Sequence, residues 1–267
     1  MNTLGRAVTS ARYRLAALKR KPPTRLERAV GRAFSSRYQA RRPRLEAPYY
    51  VSPEDRGAPD GVPSRSGMIS LALWFMYGNG LEGDYLEFGS LQGRTFRLAC
   101  EHHRRDFEGR MHFWLFDSFQ GLPEPTGIDV DPKWRSGLLA WPLNDLHLVA
   151  EEIGAPRTAY TPVEGYYDDS LTPELAAQLV ADGVRAGIVY VDCDLYSSTK
   201  VVLEFVRPLL QTGTVLCFDD YYCFQGDPGK GEQLALREFL EAEPGVGVVE
   251  YYRYGWHGRS FIVHLRD

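Results

Sequence analysis

The chain has 267 residues, 44% of them hydrophobic and 25% charged, with a formal net charge of −4 and four cysteines. That length accommodates one large α/β domain plus an extension, and no stretch approaches the ~18 consecutive apolar residues that span a bilayer. The cysteines, Cys100, Cys193, Cys217 and Cys223, form no C-x-x-C pair, which argues against a structural zinc and for reduced thiols in a cytoplasmic setting.

The charge is unevenly spread. Residues 1–45 hold 13 Lys/Arg and one acid, a balance of +12, so the remainder carries −16. Three readings of this basic, helix-prone arm stay open: docking on its own acidic body or on a second subunit of a homo-oligomer, contact with an anionic membrane surface or polyanion, and targeting. It has no apolar segment of the secretory kind. The acidic body would repel phosphates, so nucleic acid is not an expected partner. Residues 46–63, with Pro48, Pro53, Pro59 and Pro63, read as a linker. From residue 64 to 267 the pattern is that of one domain.

Ser64 to Tyr77 is expected to be a helix, stopped by Gly78, Gly80 and Gly83. A short strand then carries Glu87 inside it, an ionisable side chain that needs a reason to be there. It runs through Gly89 and Gly93 into a helix from Thr95 to His102, the first βα unit of a nucleotide-type fold. Gly89 is expected to let the backbone approach a ligand, and Gly93 to let the helix start near the strand. The spacing G-x-x-x-G is not the dinucleotide fingerprint. A second strand, Met111 to Phe116, ends in Asp117, which suits either the ribose diol of a bound nucleoside or a plain turn cap.

Residues 120–157 are rich in Pro, Gly and Trp. They read as an active-site lid, with Trp134, Leu139 and Trp141 facing a substrate, followed by a helix from Leu143 to Ile153. His147 in that helix is either a surface histidine or the base. A third strand, Thr158 to Val163, leads to the turn from Glu164 to Asp169 and a helix from Thr172 to Ala181. The next strand, Ala186 to Val191, ends in Asp192 and Asp194. After a helix from Ser197 to Leu210, the strand Thr214 to Phe218 ends in Asp219 and Asp220. Carboxylates at the carboxyl ends of two successive buried strands lie where ligands bind in open α/β sheets, and three oxygen donors there invite a cation such as Mg²⁺; the alternative is a set of caps and turn residues. A helix from Glu232 to Ala242 and two closing strands, Val246 to Tyr252 and Ser260 to His264, complete the chain.

The blocks YLEFGSLQGRTF, FDSFQGLPEP, VEGYYDDSL, VDCDLYSSTKVVLEFVRPLL and VLCFDDYY, in this order, resemble the class I S-adenosylmethionine (SAM)-dependent O-methyltransferases of the macrocin and mycinamicin (TylF-like) type. The resemblance covers about Ser64 to His264. It implies a doubly wound, Rossmann-like SAM methyltransferase fold with a seven-stranded sheet in the order 3-2-1-4-5-7-6 and one antiparallel edge strand. It further implies SAM contacts at Glu87, Phe88, Gly89 and Ser90, ribose contacts at Asp117 and Ser118, an adenine edge at Glu164, Gly165 and Tyr166, and a Mg²⁺ triad of Asp192, Asp219 and Asp220. Asp194 has no assigned role, and the family's lid histidine has no clear match, with His147 the nearest. The implied activity is O-methyl transfer to a hydroxyl of a sugar or glycosylated natural product. The rivals are transfer to a catechol-like small diol and a non-catalytic SAM-fold scaffold working through its basic arm.

Overall fold

The computed structural model describes residues 62–107 and 111–266. The basic arm and nearly all of the linker lie outside these residues. Helix α1 (Arg65–Gly78) opens the domain, its first turn capped by the Ser64 side chain, which accepts from Gly67 N at 3.1 Å. Strand β1 (Asp84–Phe88) follows, then α2 (Arg94–Asp106), β2 (Phe113–Asp117), α3 (Leu143–Glu152), β3 (Tyr160–Glu164), the short α4 (Tyr167–Ser170), α5 (Pro173–Ala181), β4 (Ala186–Val191), α6 (Tyr196–Val206), β5 (Val215–Phe218), α7 (Gly231–Ala242) and the hairpin of β6 (Val246–Tyr254) and β7 (Gly258–Leu265). The turn expected after β3 contains α4, a single helical turn; the other expected elements form within a few residues of their predicted ends.

The seven strands make one sheet in the order β3-β2-β1-β4-β5-β7-β6. Neighbours from β3 to β5 are parallel, and β7 enters antiparallel between β5 and β6. Helical crossovers require that arrangement, because each returns the chain to the same end of the sheet.

β4 shows why the sheet is covered on both faces. All six of its residues are buried. Ala186, Val189 and Val191 pack with Leu203, Phe205 and Phe239 from α6 and α7, while Ile188 and Tyr190 pack with Met68, Leu73 and Phe96 from α1 and α2. A strand flanked by two apolar layers reads as a continuous hydrophobic run, as AGIVYV does. Burying each such Val or Ile contributes about 1.5–3 kcal/mol, so polar residues are pushed to the strand ends. Among the described residues no helix is long and apolar enough to cross a membrane.

Candidate functional site

The carboxyl ends of β1 and β2 are tied together by one side chain. Asp117 Oδ2 accepts from Ser90 N at 2.8 Å and Leu91 N at 3.0 Å, and its Oδ1 accepts from Phe119 N at 2.7 Å. Both readings of Asp117 are therefore compatible with its place: it clamps the glycine turn, and it still lines the cleft above the sheet. Burial pushes its carboxyl above the ordinary range, opposed by those three backbone donors. Ser118 turns inward, donating from Oγ to Gly121 O at 2.8 Å and accepting from Gln120 N at 3.0 Å.

Gly89 lines the cleft and is constrained from within the sheet as well. Its φ is +91°, and a Cβ there would fall 1.7 Å from the Asp192 carbonyl oxygen. What needs the missing side chain is the approach of β1 to the end of β4, which brings the two halves of the crest together. Gly93, at φ +65°, caps α2 and leaves room for Leu146 of α3, whose Cδ1 would lie 2.8 Å from an added Cβ. It serves helix–helix rather than helix–strand packing.

Glu87 is fully buried and points to the α1–α2 side of the sheet, where the Tyr85 hydroxyl donates to Oε2 at 2.6 Å. Burial outweighs that bond and pushes its pKa up to about 8, so the carboxyl is neutral at pH 7. Its Oε1 and the Ser90 Oγ beside the turn are also buried, and Thr95 and Ser90 join Tyr85 in opposing the upward push of burial.

A cleft opens over this crest. Gly89, Leu91, Asp117 and Ser118 form one wall, Gly165, Tyr166 and Asp168 another, and Leu122, Pro123 and Leu139 come from the lid. Asp192, Asp194 and Ser197 close the far end. The lining holds four carboxylates and no Lys, Arg or His. Such a field suits an extended ligand bearing a positive charge, and so fits the sulfonium of SAM. Glu164 is exposed at the end of β3, beside Asp117 in register, and lies outside the lining. Phe88 faces the core below, stacked on Phe116 with centroids 4.5 Å apart.

The lid is fastened at several points. Leu122 N donates to Leu138 O at 2.8 Å and Gly137 N to Leu122 O at 2.9 Å, closing it into a loop. Asp129, 1% exposed, accepts from Tyr196 N at 2.7 Å and Ser197 N at 3.0 Å. These are orphan donors at the start of α6, whose own N-cap, Leu195, supplies no side-chain acceptor. Leu139 lines the cleft; Trp134 instead faces Phe224, centroids 6.3 Å apart, and Trp141 borders an adjoining hollow beside Gln92 and Arg135 that shares Leu91 and Leu139 with the cleft.

The acidic ends of β4 and β5 form a buried cluster. Asp219, 2% exposed, receives Arg65 through both carboxylate oxygens, with Nε donating to Oδ1 at 3.0 Å and Nη2 to Oδ2. The Tyr190 hydroxyl also donates to Oδ1, and His257 Nδ1 donates to the Asp219 carbonyl. Burial would raise the Asp219 carboxyl, but Arg65 beside it wins and holds it below the ordinary range. At the other acids no cation outweighs burial, although Arg65 also acts on Asp192. Burial, then the charges of neighbouring carboxylates, push Asp192, Asp194 and Asp220 upward. A further acid, Glu232 of α7, is fully buried in the same cluster; its Oε2 accepts from Asp220 N at 3.0 Å. Asp220 Oδ2 and Glu232 Oε1 are buried without donors. Unfilled carboxylate oxygens of this kind fit a hard divalent cation. Among the described residues, Asp219, Asp220 and His257 present ligand atoms within 4.8 Å of one another; Asp192 is not in that tight group.

His147 is elsewhere. Its Nδ1 contacts the Tyr160 hydroxyl at 3.0 Å, and Arg157 also reaches it. Tyr160 begins β3 and the cleft lies beyond its end, four residues on, or ~13 Å at the strand rise. Burial and then Arg157 lower its pKa to about 4. This placement corrects the reading of His147 as the base. Arg65, Asp129, Glu232 and His257 escaped the sequence reading, being joined to the site over large separations or carrying no motif.

The sheet order, the glycine turn and the acidic crest together define the class I methyltransferase fold. Solved structures share it: the calicheamicin methyltransferase CalS11 superposes with a TM-score of 0.63 at 19% identity over 98% of this chain and 94% of that one. The O-methyltransferase NovP gives 0.58 at 20% identity over 76% and 80%. The chain belongs to the macrocin-O-methyltransferase (TylF) family, whose model matches residues 69–234. It is also 30% identical over 150 residues to the 8-demethyl-8-(2,3-dimethoxy-alpha-L-rhamnosyl)-tetracenomycin-C 4'-O-methyltransferase of Streptomyces olivaceus, spanning 54% of each chain, or about half the length of that relative.

Proposed function

We propose that the protein is a SAM- and Mg²⁺-dependent O-methyltransferase acting on a hydroxyl of a sugar or glycosylated natural product. The observation that carries this reading is the cleft lined by four carboxylates and no basic side chain, leading from the glycine turn to a buried acidic cluster. Family membership supports the reaction class, and the relative from Streptomyces olivaceus, named for methylating a rhamnosyl group, supports the acceptor class.

When bound, SAM supplies the electrophilic methyl group and Mg²⁺ supplies Lewis acidity toward an acceptor hydroxyl. The chain's own part is placement. Asp117 holds the turn of Ser90 and Leu91 in the shape that receives the nucleoside, with lone pairs left toward the cleft. Gly165 and Tyr166 border the opposite wall. Asp192 and Asp220 would hold the cation, with Asp219 at its edge and already neutralised by Arg65. Asp194, at the far end of the cleft and outside that pair, is the carboxylate left to receive the acceptor's proton. The lid's Leu122, Pro123 and Leu139 exclude water above them.

The test is incubation with SAM, Mg²⁺ and a panel of glycosides and catechols, read by the mass gain of one methyl group. Transfer to a glycoside supports the reading. Transfer to catechols alone moves the acceptor class. Calorimetric absence of SAM binding would leave a scaffold module.

A further inference from the structure

The hollow beside the cleft has no part in the reaction as drawn. Its volume is about 410 Å³, within the ~300–1,000 Å³ of small-molecule sites. It is lined by Leu91 and Gln92 from the glycine turn and by the lid from Arg135 to Trp141. Leu91 and Leu139 line both spaces, so hollow and cleft meet at these two leucines. Both stand in the left-handed region, Leu91 at φ +39° and Leu139 at φ +64°. That conformation is unfavourable for a residue with a Cβ and persists only where the surroundings impose it. Leu139 is also 43% exposed, so core packing does not account for its position. The lid backbone holds it there: Leu138 N donates to Arg135 O at 3.1 Å, and Leu138 O lies 2.5 Å from where a Cβ on Gly121 would stand. The ridge between the two spaces is thus built at a cost.

The two spaces differ in chemistry. The cleft carries four carboxylates and no basic side chain. The residues around the hollow bring a guanidinium (Arg135), an amide (Gln92), a hydroxyl (Ser136) and an indole (Trp141), and no carboxylate. Planar donors next to an aromatic ring suit a sugar, whose hydroxyls meet the donors at its edge while its C–H face packs on the ring. One guanidinium next to four carboxylates is badly placed to hold the charges of a diphosphate. The lining therefore favours a neutral sugar over an anion.

We propose that this hollow is a second acceptor subsite, which takes the sugar next to the one that is methylated. Trp141 packs on that sugar, Arg135 and Gln92 bind its hydroxyls, and the ridge of Leu91 and Leu139 spaces the two rings. The protein then selects neutral acceptors that carry at least two sugars. The inference rests on the glycoside reading above, and its test separates the two.

Initial rates of the full-length protein are measured with SAM and Mg²⁺ on neutral phenyl glycosides of common hexoses and 6-deoxyhexoses, carrying one sugar or two, and on the matching nucleoside diphosphate sugars. The wild type is expected to favour a two-sugar acceptor by about tenfold or more in kcat/KM, through a lower KM. Trp141→Ala and Arg135→Gln should each cut that preference to about twofold or less, the change falling on KM rather than kcat. Arg135 is exposed, so its variant is expected to fold; thermal unfolding and calorimetric SAM binding check both variants. If one-sugar and two-sugar acceptors are methylated equally well, there is no second subsite, and the methyl-transfer reading stands. If the preference survives in both folded variants, the second sugar binds elsewhere and the assignment of the hollow fails. A nucleoside diphosphate sugar that outperforms the neutral two-sugar acceptor, and loses that advantage in Arg135→Gln, overturns the neutral sugar in favour of an anion. Methylation of no glycoside by protein that binds SAM overturns the function itself, and the subsite with it.

Discussion

Replacing Asp129 by Ala should detach the lid from the helix that follows the acidic crest. Asp129 is 1% exposed and meets two backbone donors, Tyr196 N at 2.7 Å and Ser197 N at 3.0 Å. Loss of a helix cap costs about 0.5–2 kcal/mol. The negative charge at the positive end of α6 adds ~0.3–1 kcal/mol. Because the site is buried, water replaces the lost acceptor poorly, so the upper part of the range applies and the total is about 2–3 kcal/mol. For a domain of this size each kcal/mol moves Tm by about 2–4 °C, giving a drop of roughly 4–12 °C. The assay is thermal unfolding of cofactor-free protein, together with hydrogen exchange at Tyr196, Ser197 and the lid. Exchange should accelerate there before it does in β4. Asp129→Asn, which keeps one acceptor oxygen, should lose about half as much. A Tm for Asp129→Ala within about 1 °C of wild type, with unchanged exchange at Tyr196, would refute the reasoning.

Three further outcomes follow from the site. Arg65→Met strands Asp219 in the interior and should cost about 3–5 kcal/mol in urea unfolding, with Arg65→Met/Asp219→Asn recovering much of it; equal losses in the single and double variants would mean that the pair is not what matters. Glu87 has a folded pKa of about 8 against 4.5 for the free group. The folded state thus holds the extra proton between those values, and stability should fall as pH rises from 4.5 to about 8 and then level off. Glu87→Gln should flatten that slope, which denaturant titrations at several pH values will show; a slope shared by both proteins points to another group. His147→Gln should leave kcat within about twofold of wild type, since its ring lies at the far end of β3; a loss of orders of magnitude would restore it as a candidate base.

The fold was largely legible because buried parallel strands leave a local signature. AGIVYV and VLCF are short apolar runs that stop abruptly at acids, and a chain has few other uses for that pattern. The crest was legible for the same reason: Asp117 ends β2, and Asp192, Asp219 and Asp220 follow the ends of β4 and β5. Pairing was not legible. Arg65 is 154 residues from Asp219, and nothing near it in the sequence singles it out from the other basic residues of the N-terminal half. Glu232 read as an ordinary acid in the first turn of a helix, where the dipole favours one; only tertiary packing turns it inward. Gly89 was expected to let the backbone approach a ligand; that an added Cβ would also meet a carbonyl more than a hundred positions away is something no local spacing encodes.

The Arg65–Asp219 pair also bears on the order in which the molecule is made. Arg65 leaves the ribosome 154 residues ahead of its partner, and the acids of β4 precede those of β5. By the time Asp219 emerges, α1 has long been available to receive it, so the carboxylate need never be desolvated before its counter-ion is in place. A circular permutant that moved α1 to the carboxyl terminus would keep the Arg65–Asp219 pairing residues and reverse that timing. Its yield of folded protein on synthesis should then fall by more than its change in equilibrium stability accounts for. The segment that opens the domain thereby acts on the site twice, once as a neighbour in space and once as a predecessor in time.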